Sequence, residues 1–251
     1  SSDWSSDVCS SDLYGGPIPA EGDDSLHWPL VQAYLSNNLF SAFNLTLPPG
    51  ATAPEWEGFA VKELTTQVLD LREGFESIVE NCFTPSCRRA IRKAQRNKVE
   101  ITPLEAEDYL ESFLGLYDRS MRRWGLSKGF PAKLFELLWA TPGVRYWGAL
   151  HQGQLVSAAL IVSHGKRQYY WLGVMDETAS EVRPNNLLFH EILKESCRQG
   201  IETFDLGNSE GLIGVFNFKK SFGPAVETYP MLYRAGTLIR GLRRLRSFLR
   251  G

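Results

Sequence analysis

Three closely spaced segments between residues 144 and 175 constrain the fold of this chain strongly. They are rich in β-branched and aromatic residues, and two links at 151–153 and 164–166 separate them. Both links have hairpin length and contain glycine, which favours tight turns between antiparallel strands. The predicted strands span 144–150, 154–163 and 167–175. The sequence therefore predicts a three-stranded antiparallel meander.

Helices are predicted on both sides of the meander along the chain. Before it, an apolar stripe recurs at helical spacing: Leu110, Phe113, Leu114, Tyr117, Met121 and Trp124. Further helices are predicted over 75–98 with a break at Pro85, over 132–140, and over 185–199 with Asn185 as the N-cap. Additional strands are predicted at 65–71, 99–102, 203–206 and 226–233. This order predicts an α+β fold with a mixed sheet.

The segment 204–223, FDLGNSEGLIGVFNFKKSFG, is the first candidate for a functional site. It follows a predicted strand and contains glycines that let the backbone bend sharply and approach a ligand. Lys219 lies between Phe218 and Phe222, which can anchor the backbone. A lysine held in this way suits a site that binds an anion or a developing oxyanion. The alternative is a surface loop with solvated lysines.

Three motifs resemble those of the FemAB-like acyltransferases, members of the GNAT superfamily. The first, at 205–223, consists of DLG, a glycine-bearing loop, FK and FG. The second is RRAIRKA at 88–94, and the third is PNNLL at 184–188. Together they extend from about Arg88 to about Tyr233. The resemblance implies a complete C-terminal GNAT-like acyltransferase lobe at 85–235. Residues 14–84 would then be the rear part of a preceding, truncated lobe, including a predicted helix at 25–37 and a strand at 39–47.

The resemblance also implies that the FK lysine, Lys219, lies at the substrate site and stabilises negative charge. Asp205 ends the neighbouring strand and either accepts a proton, orients the acceptor or has a purely structural role. One of Tyr170 and Trp171 must face the site side of the sheet, since successive strand residues point to opposite faces. Two loop residues are candidates for contact with the acceptor: Asn208 and Glu210.

The start of the predicted helix at 185–199 bears on the acyl donor. Ordinary GNAT acetyltransferases bind the pyrophosphate of coenzyme A through backbone N–H groups at a glycine-rich helix start. Here the segment EVRPNN lacks glycine, and Pro184 has no N–H to donate. The FemAB-like relatives share this departure, and the best known of them use aminoacyl-tRNA. The donor is therefore aminoacyl-tRNA or acyl-CoA, with coenzyme A disfavoured, and Arg183 is a candidate anion contact.

A cationic helix face lies at 88–96. Arg88, Arg92 and Arg96 recur every four residues, with Arg89 and Lys93 alongside. Such a face is either simply solvated or turned toward phosphates, for example those of a polyphosphate-linked acceptor or a tRNA end. We take Arg92 as the candidate substrate contact on this face.

Composition limits the other possibilities. A net charge of −2 over 251 residues argues against a nucleic-acid binder that uses its whole surface. The four cysteines have no metal-ligand spacing, and we expect no metal or tightly bound cofactor. No signal peptide or bilayer-length apolar run is present, so a cytoplasmic protein is expected.

The two ends of the chain are unlike the rest. Residues 3–13, DWSSDVCSSDL, match the translation of a sequencing adapter, so 1–13 are interpreted as an artefactual tail on a fragment. Residues 236–251 combine leucines with five arginines in a basic amphipathic helix. That helix either lies on the inner, anionic face of a membrane or packs its leucines on the domain.

These observations favour an N-acyltransferase that forms an amide bond. Its acceptor would be an amine-bearing small molecule or lipid-linked precursor, for example of the cell envelope or a polysaccharide. Two alternatives stay open: an acyl-CoA-dependent N-acetyltransferase, and a catalytically silent GNAT-like module that binds a membrane or RNA.

Overall fold

The structure is a computed structural model, and it describes residues 43–106, 108–125, 129–209 and 212–234. These residues belong to two compact units. One comprises residues 67–226, and the other combines the described residues 43–66 with 227–234. Several predicted features lie outside the described residues: the tail at 1–13, the helices at 25–37 and 236–251, and Glu210.

The first unit alternates helices with the strands of one sheet. Strand β2 (Ala60–Asp70) contributes its residues 67–70. The following elements are α1 (Phe75–Asn81), α2 (Pro85–Arg96), β3 (Glu100–Pro103), α3 (Asp108–Arg123), α4 (Ala132–Trp139), β4 (Val144–His151), β5 (Gln154–His164), β6 (Arg167–Met175), a 3₁₀ helix (Glu177–Val182), α5 (Pro184–Arg198), β7 (Thr203–Asp205) and α6 (Ile213–Lys220).

The sheet of this unit is mixed, in the order β2-β7-β6-β5-β4-β3. Strand β4 pairs antiparallel with β5, and β5 pairs antiparallel with β6, which confirms the predicted meander. Strand β7 pairs parallel to β6 and antiparallel to β2. The predicted α+β fold class is therefore confirmed.

Each face of the sheet carries its own apolar core, because side chains alternate along the strands. On β5, Ala158 and Leu160 pack with α3 and α4, whereas Ala159 and Ile161 pack with α1, α2 and α5. The sheet thus lies between two helical layers. No helix within the described residues combines the length and the apolar content needed to cross a bilayer.

Two helix starts bear on the site. The break predicted at Pro85 is confirmed: Thr84 caps α2 by accepting from the backbone N–H of Cys87 at 3.2 Å, and Pro85 is its first residue. The N-cap predicted for α5 is wrong. Helix α5 begins at Pro184. The residue before it, Arg183, has a left-handed backbone (φ 58°), and its side chain makes no capping hydrogen bond. The side chain of Asn185 instead accepts a hydrogen bond from Ser157 on β5.

The segment after β7 also differs from the prediction. We expected a glycine-rich loop up to Lys219, but Ile213–Lys220 forms helix α6 with Gly214 inside it. Aromatic packing outweighs the low helix propensity of that glycine. The ring centroid of Phe218 lies 5.2 Å from that of Phe189 on α5 and 5.3 Å from that of Phe222.

The second unit has a small core of its own. Strand β1 (Phe43–Thr46) pairs antiparallel with β8 (Ala225–Arg234), so the strand predicted at 39–47 is present where the structure describes it. Leu47, Trp56 and Leu232 are buried together next to this pair.

Candidate active site

A cleft opens in the first unit where strands β6 and β7 separate. The two strands pair only from Arg167–Thr203 to Tyr169–Asp205. The chain then turns away at Gly207, which has φ +73°. A Cβ at this position would lie 3.1 Å from the hydroxyl oxygen of Tyr169 and 3.2 Å from the carbonyl oxygen of Tyr170. Glycine therefore allows both the turn and the close approach.

A cavity of about 300 Å³ occupies this cleft. We call it the apolar cavity, because aromatic, aliphatic and glycine residues supply most of its lining: Ala158, Tyr170, Gly173, Val174, Leu188, Phe189, Gly214, Val215 and Phe218. Its polar groups include Arg123, Ser180, Arg183, Asn185 and Asn186. Its size is at the lower end of the range for small-molecule sites.

Tyr170 forms one wall of the apolar cavity. Its ring packs edge-on against Phe189, with 4.7 Å between the ring centroids. Gly173 makes room for the hydroxyl, since a Cβ at residue 173 would lie 1.7 Å from the Tyr170 oxygen. Burial raises the pKa of Tyr170 above its ordinary value, so the hydroxyl stays protonated. It can therefore donate a hydrogen bond within the cavity, whereas its raised pKa makes it a poor proton donor.

Trp171 lies on the opposite face of the sheet from the apolar cavity. Its ring packs against Phe130 at a centroid distance of 5.2 Å and belongs with the core under α3 and α4. A register shift makes Leu160 pair with Leu172 and Ile161 pair with Tyr170, so Trp171 is the extra residue of a β-bulge. Of the two candidates, only Tyr170 faces the cavity.

Lys219 lies next to this wall and is only 3% exposed. Its ammonium group donates to the carbonyl oxygens of Gly207 at 3.0 Å and Asn208 at 2.9 Å. The same nitrogen is 5.6 Å from the ring centroid of Tyr170. The positive charge is thus held behind the wall of the cavity, and these two bonds join α6 to the turn after β7.

Asp205 and Asn208 belong to that turn. The buried Asp205 carboxylate accepts from the backbone N–H of Gly207 at 2.8 Å. This bond stabilises the turn that ends β7. Asn208 is half-buried and contributes its carbonyl oxygen to Lys219. Neither residue lines the apolar cavity.

A second, more open depression of about 600 Å³ adjoins the cavity, and we call it the basic groove. Its cations come from α2 and from the start of α5: Arg89, Lys93, Arg96 and Arg183. Lys93 also pairs with Glu181 at 3.1 Å, and this bond lowers the pKa of that carboxyl. The partial positive charge of the α5 N-terminus adds to the field. The groove is therefore suited to phosphate groups.

The arginine face predicted on α2 divides into different roles. Arg88 donates to the carbonyl oxygens of Val79 and Glu80 at 3.0 and 3.1 Å, so it satisfies the end of α1. Arg92 is exposed and lines neither the groove nor the cavity. The residues that face the groove are Arg89, Lys93 and Arg96, which the i, i+4 pattern alone did not separate from the others.

The apolar cavity and the basic groove lie side by side. They share four lining residues: Arg183, Asn186, Gly214 and Phe218. Of the predicted site residues, the structure thus brings Tyr170, Lys219 and Arg183 together at this cleft. A molecule with a phosphate-bearing part and an apolar part could occupy both compartments at once.

Several lining residues had no signal strong enough to identify them from the sequence. Gly173 lies inside a predicted strand, where an isolated glycine can indicate close backbone approach. Asn185 follows Pro184 and was expected to cap a helix. Trp124 belongs to an apolar stripe and was expected in the core, yet it is 40% exposed and lines the cavity.

Comparison with known families gives one match. The model of the "Acetyltransferase (GNAT) domain" family matches residues 84–220, more than half of the chain. These residues contain α2 to α6, and with them both compartments of the cleft apart from Ser221. No curated protein sequence matches the chain.

Solved structures show the same fold at low sequence identity. FemX superimposes with a TM-score of 0.59 and 14% identity over 69% of this chain and 65% of its own. The DUF2156 domain of a proposed lysylphosphatidylglycerol synthetase from Agrobacterium fabrum superimposes with a TM-score of 0.64 and 17% identity. The match covers 89% of this chain and 76% of that domain. L-PGS from Bacillus licheniformis superimposes with a TM-score of 0.52 and 15% identity over 70% of this chain and 62% of its own. The chain thus spans less than two thirds of FemX and of L-PGS.

Proposed function

The chain belongs to the GNAT acetyltransferase domain family, and we propose that it transfers an acyl group from a phosphate-bearing donor to an amine, forming an amide bond. Membership of the family supports an acyltransferase activity. The nature of the donor, the acceptor and the residue roles below are our proposal.

The adjacent cavity and groove carry this proposal. The basic groove has four cationic side chains for the phosphates of the donor, of which Lys93 is already paired with Glu181, and the adjoining cavity receives the acyl group. At the junction lies the N-terminus of α5. Its partial positive charge favours negative charge that develops on the reacting carbonyl oxygen.

The chemistry requires one bond to form and one to break. The neutral amine of the acceptor attacks the acyl carbonyl carbon, a C–N bond forms, and the bond to the donor's sulfur or oxygen breaks. The amine loses a proton, and the leaving group gains one. We assign the neutral hydroxyl of Tyr170, which lies in the wall of the cavity, as a hydrogen-bond donor to the reacting carbonyl oxygen. The buried charge of Lys219 acts on the cavity from behind Tyr170 as an electrostatic stabiliser.

Two donor classes agree with this arrangement. Aminoacyl-tRNA and acyl-CoA both carry phosphates that the basic groove would attract. The missing glycines and Pro184 at the α5 start count against the usual coenzyme A contact. The resemblance to FemAB-like enzymes supports an amine-bearing small-molecule or lipid-linked acceptor, such as a cell-envelope or polysaccharide precursor.

The direct test is product formation by the 251-residue protein. Acyl-CoA and aminoacyl-tRNA donors are each incubated with amino sugars, lysine-containing peptides and polyamines, and amide products are identified by mass spectrometry. The proposal expects an amide from at least one pair. Tyr170→Phe and Lys219→Met should lower the rate.

Absence of any amide from all donor and acceptor pairs would contradict the proposal. The protein would then be better described as a non-catalytic module. In that case binding of RNA and of anionic vesicles by the same preparation would be the property to measure.

A further inference from the structure

The apolar cavity offers far more space than an acetyl group fills. Its volume is about 300 Å³. With ~30 Å³ per water-sized group, it holds about ten such groups, whereas an acetyl group has only about three heavy atoms. The rings of Tyr170, Phe189 and Phe218 and the side chains of Leu188 and Val174 surround this space. Such walls stabilise hydrocarbon rather than water.

The charges of the cavity are unfavourable for an aminoacyl group. None of the described residues that line it is Asp or Glu, while Arg123 and Arg183 are cationic; the carboxylates that interact with these arginines, Asp176 and Glu181, lie outside the lining. The protonated amino group of an aminoacyl donor would lose water there and meet like charges. A neutral acyl group carries no such penalty.

Apolar side chains extend this environment to the surface. Val215, in the first turn of α6, lines the cavity and is 38% exposed. Trp124, after the end of α3, also lines it and is 40% exposed. At the rim of the cavity these two side chains give the apolar part of a ligand further surface to contact.

We infer that the cavity selects an apolar acyl chain of roughly four to eight carbons, the length that fits about ten water-sized groups once the reacting carbonyl is included. The chain arrives as a thioester whose phosphates lie in the basic groove. This inference rests on the proposed function and narrows its donor. In the reaction the thioester C–S bond breaks, the amide C–N bond forms, and the proton of the amine passes to the departing sulfur.

Affinity for a series of donors tests the inference without the acceptor. Isothermal titration calorimetry of the 251-residue protein uses acetyl-, butyryl-, hexanoyl- and octanoyl-CoA. Each methylene that enters the cavity should improve the dissociation constant about threefold to fourfold, equivalent to roughly 0.8 kcal/mol. Four buried methylenes should therefore give roughly an 80- to 250-fold gain over acetyl-CoA. The heat capacity change should become more negative along the series.

Two neighbouring substitutions separate the cavity from its surroundings. Val215→Asp places a charge at the cavity rim and should abolish most of the gain with chain length. Ile213→Asp, at the first residue of the same helix, changes a side chain that is 77% exposed and does not line the cavity. This substitution should leave the dependence of the dissociation constant on chain length unchanged. Both changes lie at the start of α6, so their interactions with the helix dipole are matched.

Three outcomes would overturn the inference. They are equal affinity across the series, a preference for acetyl-CoA, or tighter binding of aminoacyl-tRNA than of octanoyl-CoA. The proposed function survives each of these if the favoured donor yields an amide, so the two failures are distinguishable. Comparing octanoyl-CoA with an octanoyl acyl carrier protein then identifies the thioester's carrier.

Discussion

Lys219 is a charged residue in an almost fully buried position, which is costly unless the charge is paired. Its bonds to the carbonyl oxygens of Gly207 and Asn208 provide that compensation. The sequence alone suggested a lysine at a site that binds an anion or a developing oxyanion. The structure instead gives it a second role as a link between α6 and the turn after β7.

The variant Lys219→Met should therefore affect stability as well as rate. Two hydrogen bonds from a charged donor are lost, so the free energy of unfolding should fall by about 2–4 kcal/mol. Loss of a preorganised charge should also lower kcat by ~10²–10³. Thermal denaturation and turnover of the purified variant measure the two effects.

Lys220→Met is the matched control for that variant. Lys220 is exposed at the end of the same helix, so its substitution should change neither property appreciably. The assignment of Lys219 is wrong if its variant keeps normal turnover, or if Lys220→Met is the more damaging change.

Gly173→Ala should disturb the cavity through a single methyl group. The added Cβ would lie 1.7 Å from the Tyr170 hydroxyl oxygen and 2.7 Å from Cζ of the ring. The ring must move, and we expect donor affinity to fall about tenfold or more, as for a loss of roughly 1.4 kcal/mol of cavity contacts. Calorimetric titration measures this fall. Because Cζ is also too close, the double variant with Tyr170→Phe should recover only part of the affinity.

Secondary-structure elements were predictable wherever apolar periodicity was strong. The meander, the helix that carries the cationic face at 88–96 and the helix that carries the apolar stripe of α3 all correspond to observed elements. Helix α6 was not predictable, because Gly214 indicates a bend and the aromatic contacts that outweigh it come from α5. The lining of the cleft was also only partly predicted from the sequence, because it depends on the tertiary position at which β6 and β7 separate.

Helix α2 allows a test of the basic groove. Arg89→Ala and Lys93→Ala should each weaken binding of a phosphate-bearing donor about threefold to tenfold, with a smaller dependence on salt concentration, since one charge contact is removed. Arg92→Ala removes the same charge from an exposed position outside the groove. It should have little effect. Titrations at low and high salt compare the three variants.

The result also decides between two assignments on this helix. If Arg92→Ala is the most harmful of the three changes, the sequence-based choice of Arg92 is right. The basic groove would then not be the phosphate site.

Across the whole molecule, the family match and the cleft both belong to the unit at 67–226. Its element order follows from local sequence patterns, which is why the fold class could be predicted. The pairing of β1 with β8 could not, since their residues are far apart in the chain and neither strand has a local signal for the other. The role of the basic segment at 236–251 stays a prediction, because it lies outside the described residues.

That segment should give the full chain salt-sensitive affinity for anionic vesicles. Basic residues near such a surface contribute on the order of 1 kcal/mol each. Co-sedimentation compares the full chain with a variant that ends at residue 235, with neutral vesicles as the control. Equal sedimentation of both proteins, or of neither, would contradict a membrane role.

The cavity has one more consequence, because its walls come from both sides of the sheet. Ala158 and Val174 belong to the core under α3 and α4, and Leu188 and Phe189 belong to the core under α1, α2 and α5. A hydrocarbon chain in this space would contact both cores, so it would add apolar packing to each of them. Slower hydrogen exchange of the β6 amides and a higher unfolding temperature would then accompany a filled cavity.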